Sequence, residues 1–402
     1  MLQCDKRYIV ALTKMTDNTK IIKRIEDAIK NSETNNFTLF FFVIDCKNVP
    51  NSNMFYIYHM AKTLYDNGYN VKMLYQMDKE YTTEELEELE RKQQFINNDR
   101  RFVGVREWLG NDYANLPHMN ISNGQWSVSP SDFLFIPEAF ASLMQQTYKF
   151  KAPCRRFVIL QNYDYVTDFI PLGVEWKNYG IFDAITSTDK QAELIKSVFP
   201  YMRTKTISPC IPDMFRKPVT PHKLYVNIIA KRQSDVGKLI RTFYWKYPIY
   251  KFISFKDVRN LNQEKYAETL KNGAITVWVD DETLFGYAPL EAMRCGNIVI
   301  GKIPETIPEW MQDEEGIINN GYWTYDKLSL VDVLAKVVST WMNDEIPQEL
   351  TDSVEETNKK YTQSQWNENV TSLMKGLVED RINEFKTIKE QTINNEGKTS
   401  EA

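Results

Sequence analysis

The chain is predicted to be an α/β protein made of two consecutive doubly wound units, each built on a parallel sheet. Three observations carry this. Short apolar runs alternate with amphipathic segments along most of the 402 residues. Runs such as Thr38–Ile44 and Ile275–Val279 are apolar at nearly every position, as strands covered by helices on both faces are. Between Ser208 and Pro218 three prolines interrupt the alternation, and a second set of strands and helices begins after them. The length suffices for two cores of ordinary size.

Taken in order, Arg7–Thr13 reads as a strand. Ile21, Ile22, Ile25, Ala28 and Ile29 recur at helical spacing. Thr38–Ile44 is a buried-type strand, Pro50–Asn53 a turn and cap, and the following helix runs to about Asn67 and leaves at Gly68. Val71–Tyr75 completes a strand–helix–strand crossover. Residues 82–94 form a charged, solvated helix, and 104–124 are rich in turns. Short strands follow at 132–136, 157–160, 184–187 and 204–207, with a helix at 189–198. The second set comprises strands at 224–229, 251–254, 275–279 and from Ile298, and helices at 235–245, 262–271, from Pro289, and at 327–343. A last helix starts near Ser364. The expected units are 1–210, 211–363, a helix over 364–388 and a polar tail, 389–402, expected to be disordered.

Composition narrows the function classes. A content of 43% hydrophobic and 26% charged residues is that of a globular chain. The net charge of −5 argues against broad adhesion to nucleic acid. Five scattered cysteines without a Cys-x-x-Cys or Cys/His cluster support neither a disulfide framework nor a zinc site. No run is long enough to span a bilayer and no secretory signal opens the chain, so a soluble cytoplasmic protein is expected.

The chemistry concentrates in Val279–Gly301. A buried strand runs into an acidic loop, then Phe285-Gly286, then a helix opening near Pro289 and leaving at Gly296, then an apolar strand. Proline suits a first helical turn, glycine a helix exit. Such a helix start aims free N–H groups at the loop and is ready for phosphate. Glu291, expected in that first turn, would accept hydrogen bonds from a diol such as a ribose. Upstream, an apolar strand ends at Arg232, and Lys238 follows six residues on. A guanidinium fork and an ammonium there can take up the charge of a departing diphosphate.

Phe285-Gly286, Leu290-Glu291-Ala292-Met293 and Gly296, with Arg232 and Lys238 ahead of them, resemble the donor pocket of retaining glycosyltransferases of the GT-B fold. The resemblance implies two Rossmann-like domains facing across a cleft, with the C-terminal helix crossing back to the N-terminal domain. It implies transfer of a sugar from a nucleotide diphosphate sugar to an acceptor hydroxyl with retention, without a metal or other cofactor. Phe285, Gly286, Tyr287, Ala288 and Glu291 would hold the donor, and Arg232 and Lys238 would serve the chemistry. The family's sugar-side acid falls where Thr283 stands, and Glu282, one residue earlier, is the catalytic candidate in its place. Glu138, after the 132–136 strand, occupies the place where many relatives carry a His, either in a polar role near the reacting centre or as a helix cap. Asn51, Gln161, Asn162 and His118 are candidates to line the cleft, while His59 reads as packed. The acceptor is open: a glycan, a lipid-linked glycan, a protein or a hydroxymethylated DNA base. A non-catalytic binding or scaffold protein on the same fold is the rival reading.

Overall fold

In the computed structural model, the described residues are 18–44, 51–76, 108–122, 126–220, 222–230, 232–259, 261–279, 285–304, 307–312, 316, 318–326 and 328–399. The predicted strand at 7–13 and helix at 82–94 lie outside them.

The first sheet contains β1 (Thr38–Phe42), β2 (Asn70–Tyr75), β3 (His118–Asn120), β4 (Phe133–Pro137), β5 (Arg155–Leu160), β6 (Asp183–Thr186) and β7 (Arg203–Thr206). Its order is β3-β2-β1-β4-β5-β6-β7, with every pairing parallel. Alternation along the strands splits the apolar side chains between two faces. Phe41, Phe135 and Phe157 stack on one face, with successive ring centroids 4.5 and 5.2 Å apart. Phe42, Ile136, Val158 and Leu160 pack on the other. Both faces are buried, which is why these runs are apolar throughout. Helices α1 (Asn18–Glu33), α2 (Ser52–Asp66), α3 (Asn111–Ala114), α4 (Ala141–Lys149), α5 (Tyr163–Phe169) and α6 (Asp189–Val198) belong to this half.

The second sheet has β8 (Lys223–Ala230), β9 (Ser254–Asp257), β10 (Gly273–Val279), β11 (Ile298–Lys302) and β12 (Tyr322–Thr324), in the parallel order β12-β11-β10-β8-β9. Its helices are α7 (Gln233–Lys246), α8 (Gln263–Asn272), α9 (Tyr287–Arg294), α10 (Ser329–Met342) and α11 (Gln348–Lys359). Several features differ from expectation. The strand placed at 251–254 begins at Ser254, because a 3-10 turn at Pro248–Tyr250 occupies the chain before it. His118 opens β3 instead of lying in a loop. β12 and α11 have no sequence counterpart: one is three residues long, and the other buries only Thr357 and so shows no apolar stripe.

The last helix, α12 (Gln363–Thr399), returns to the first half. The Trp366 indole donates to Thr63 Oγ1 on α2 at 2.8 Å, and its ring meets Tyr56 edge-on. Further along, Phe385 and Ile388 pack against Ile21, Ile25 and Ala28 of α1. Lys389 pairs with Glu26, also on α1, at 2.7 Å. Where composition predicts a tail from 389, the backbone stays helical through Thr399. Among the described residues, no helix is long and apolar enough to cross a membrane. A largely buried charge cluster fixes the crossing of α12. Arg155 and Arg203 both bind Asp183, at 2.9 and 2.6 Å, and both approach Glu384 of α12. Arg381 adds bonds to the carbonyls of Pro130 and Pro153.

Removing one partner from such a cluster strands the others in a dry site. Asp183→Ala is therefore expected to lower unfolding stability by about 3–5 kcal/mol in urea titrations. A loss below about 1 kcal/mol would show that the cluster is a solvated surface network.

Candidate functional site

Each sheet reverses strand order once. In the first, the chain winds outward from β1 to β3 and resumes at β4 on the other side of β1. In the second it goes from β8 to β9 and resumes at β10 on the other side of β8. Ligands of open α/β sheets sit outside the carboxyl ends of the strands at these reversals. The loops after β1 and β4, and after β8 and β10, are therefore the places to build a site.

At the first reversal Glu138 follows β4 and is almost wholly buried. Its Oε1 accepts from the backbone N–H of Gln161 at 3.1 Å and of Asn162 at 2.8 Å, just past β5. It does not cap the helix after it, whose N-cap Phe140 has no side-chain bond. Gln161 donates to the Asn53 carbonyl at 2.9 Å and receives Gln191 on its own carbonyl at 2.7 Å. Asn51 caps α2 through the N–H groups of Asn53 and Met54, and Asn162 caps α5 through that of Asp164. The starts of α2 and α5 are thus tied to the end of β4 around one carboxyl. Burial pushes that carboxyl up to about 7, against the pull of the backbone N–H groups.

At the second reversal Arg232 stands at the N-cap of α7, exposed, immediately past β8. Lys238 is exposed on the second turn of the same helix. The six-residue gap turns it by about 100° around α7 relative to a gap of five. Arg259, past β9, binds Asp257 and Gln233, a grouping that no sequence motif marks. Glu282 lies outside the described residues. Phe285 is buried against Tyr287 and Tyr361, and its carbonyl receives the Trp310 indole N–H. Gly286 is the N-cap of α9 with φ +73°, a left-handed conformation that glycine adopts without strain.

That cap starts α9 at Tyr287, two residues earlier than the sequence suggests. Pro289 becomes its third residue, where an N–H is still not needed. Glu291 consequently falls beyond the first turn. Its carboxyl is buried beside Tyr266 of α8, and burial raises it to about 7 although the Tyr266 hydroxyl pulls it down. No sequence spacing signals the Tyr266 contact, because the two residues lie on different helices. Ala288 is half-buried in the first turn of α9. The helix exits through a Schellman turn: the N–H of Gly296 (φ +83°) reaches the Met293 carbonyl and that of Asn297 the Ala292 carbonyl.

The halves meet beside this helix. Tyr287 stands edge-on to Phe55 of α2 at 5.6 Å. His59, one turn further, bonds Tyr113 at 2.8 Å and Gln363 of α12 at 3.0 Å, with Cys210 of the connecting segment 3.3 Å away. Burial lowers His59 to about 4, so it is a packed neutral ring. A second bridge runs from α6, where the Lys190 N–H donates to Glu309 at 2.8 Å. His118 lies on β3, half-buried, its ring bonded to Tyr58 at 2.9 Å and to the Leu116 carbonyl at 2.7 Å. The structure therefore gathers Asn51, Glu138, Gln161 and Asn162 at one reversal and Arg232, Phe285, Gly286, Tyr287 and Glu291 at or beside the other. Among the described residues no group of three or more His, Cys, Asp or Glu could hold a metal ion.

No protein-family model matches the chain, and no curated protein does. Solved structures do. The pneumococcal O-GlcNAc transferase GtfA in complex with UDP and GlcNAc is similar with a TM-score of 0.57 at 8% identity, over 86% of this chain and 99% of that one. Sucrose-phosphate synthase from Thermosynechococcus elongatus gives 0.55 at 10% identity, over 85% and 99%. Anabaena HepE in complex with UDP-glucose gives 0.55 at 10% identity, over 84% and 99%. The likeness spans both sheets and carries the fold, which is GT-B.

Glu138→Leu should leave the Gln161 and Asn162 N–H groups, one buried and one half-buried, without an acceptor and cost about 2–4 kcal/mol in urea unfolding, while Glu138→Gln keeps an acceptor and costs less. A carboxyl raised from 4.5 to about 7 contributes stability fully below pH 4.5 and loses it as pH rises through 7. The stability difference should therefore move in favour of Glu138→Gln by up to about 3 kcal/mol between about pH 4.5 and 8. A difference that ignores pH would show that the carboxyl is not desolvated.

Proposed function

We propose that the protein is a nucleotide-sugar-dependent glycosyltransferase that acts with retention and without a metal. The observation that carries this is the α9 start at Gly286, with the buried Glu291 behind it. It stands next to the strand that delivers Arg232, on the second half of a GT-B fold, where the order of strands reverses. The N–H groups of Tyr287 and Ala288 would receive the diphosphate, with the positive end of the helix dipole behind them. Glu291, released from Tyr266, would accept the ribose hydroxyls. A carboxyl kept in a dry site is poorly solvated without a ligand, and perturbed acids of this kind gather at functional sites. Two of the similar solved structures hold UDP with GlcNAc and UDP-glucose, which supports a uridine nucleotide as the first donor to try.

In the proposed reaction the bond between the anomeric carbon and the diphosphate oxygen breaks as the acceptor oxygen bonds that carbon on the same face. The acceptor's proton passes to the departing phosphate oxygen. Arg232 and Lys238 take up the charge released on the diphosphate, so no protein nucleophile is needed. Glu138 holds the loops after β4 and β5 in place for the acceptor side and does not itself enter the step.

A thermal-shift panel of UDP-, GDP- and ADP-sugars tests this. One donor at about a hundred times its dissociation constant should stabilise the wild type by about 2.7 kcal/mol, a rise of several degrees. Arg232→Ala should lower transfer, or donor hydrolysis, by about 10²–10³-fold. Glu291→Ala should lose most of the donor-induced shift. If no nucleotide sugar stabilises the wild type, the donor pocket is refuted; stabilisation without turnover of any donor would favour a non-catalytic binding protein.

A further inference from the structure

The second half carries a surface that the donor site does not use. α7 ends at Lys246, the Pro248–Tyr250 turn follows, and β9 opens at Ser254, which pairs with Tyr225 near the start of β8. This tip therefore lies at the amino edge of the sheet, at the opposite end of the strands from Arg232 and α9. Three large apolar side chains point outward from it: Trp245 is 78% exposed, Ile249 77% and Phe252 59%. They stand on a packed aromatic base. Phe243 and Tyr250 stack at 5.9 Å, and Phe255 meets Phe243 and Tyr244 edge-on at 5.5 Å. Tyr244 donates to the Ile253 carbonyl and Tyr247 to Asp332. The base holds the tip in shape, so the exposure belongs to the folded state.

Charge says what covers it. Residues 240–252 contain Arg241, Lys246 and Lys251 and no acid, in a chain whose net charge is −5. Lys246 is paired with Asp332, while Arg241 and Lys251 are exposed at the rim. A second copy would bring the same positive rim, so tip-on-tip pairing is opposed by like charge. Three cations form too short a track for a nucleic-acid backbone, and the exposed area is chiefly apolar. Aromatic and aliphatic groups on a small basic rim match the boundary between lipid headgroups and acyl chains.

We propose that the Trp245–Ile249–Phe252 tip docks the protein on an anionic lipid bilayer surface. The three apolar side chains enter the headgroup boundary, and Arg241 and Lys251 meet lipid phosphates. Cosedimentation of the full chain with vesicles of phosphatidylcholine alone, or with phosphatidylglycerol added, tests this. The wild type should bind the anionic vesicles and be released by about 0.5 M salt. Trp245→Ser combined with Phe252→Ser, and separately Arg241→Glu combined with Lys251→Glu, should each weaken binding about tenfold or more. Because these side chains are exposed, the melting temperature should be unchanged, which separates lost docking from misfolding. The donor-induced thermal shift should also be unchanged, so this test and that of the donor pocket fail independently. The proposal is overturned if the wild type stays in the supernatant, or if the variants bind equally well. A dimer that Trp245→Ser converts to monomer would assign the face to a second copy instead, and oligonucleotide binding lost in the same variants would assign it to nucleic acid.

Discussion

Parallel pairing sends every strand of a sheet in one direction, so all the carboxyl ends, and the starts of the helices that follow them, collect along one edge. Nearly everything functional in this chain follows from that constraint. At each reversal of strand order two neighbouring loops turn away from one another and open a crevice. Arg232 and the Gly286 cap are far apart along the chain, yet they follow β8 and β10, which pair directly. The site exists because the ladder brings these strand ends side by side.

The two reversals are furnished differently. The one in the first sheet is braced: Glu138 commits its carboxyl to two backbone N–H groups, and Asn51 and Asn162 commit their side chains to caps. That arrangement sets loop positions. In the second sheet Arg232 and Lys238 are exposed, and the α9 start carries no side-chain cap. The join between halves is held by packed aromatics at Tyr287 and Phe55 and by α12, where the Arg155–Asp183–Arg203–Glu384 cluster fixes the crossing of the last helix.

Much of this is legible in the chain. An apolar run such as Thr38–Ile44 would expose hydrophobic side chains whichever face it turned to water, so a parallel sheet under helices is the readable outcome. Leu39 and Phe41 are buried on one face of that strand, Phe40 and Phe42 on the other. Gly296, the proline-rich break before Pro218 and the order of Arg232, Phe285-Gly286 and Glu291 are equally readable, because each reflects a local backbone or charge requirement. What cannot be read are elements with no pattern of their own. β12 is three residues long, α11 buries one threonine, and His118 joins a strand only because β2 offers it an edge.

By itself the sequence determined most of the strands and helices among the described residues, and which residue types could serve a diphosphate. These depend on periodicity, caps and charge within a few residues of each other. The tertiary structure alone decided that α9 starts at Gly286 and so moves Glu291 out of the first turn and against Tyr266. It also decided that Glu138 braces another strand's loop instead of capping its own helix, and that the His118 ring is held by Tyr58 and the Leu116 carbonyl. The physical reason is common to all three: a buried polar side chain must find a partner, and which partner lies within reach is set by strand order and helix packing, not by neighbours along the chain.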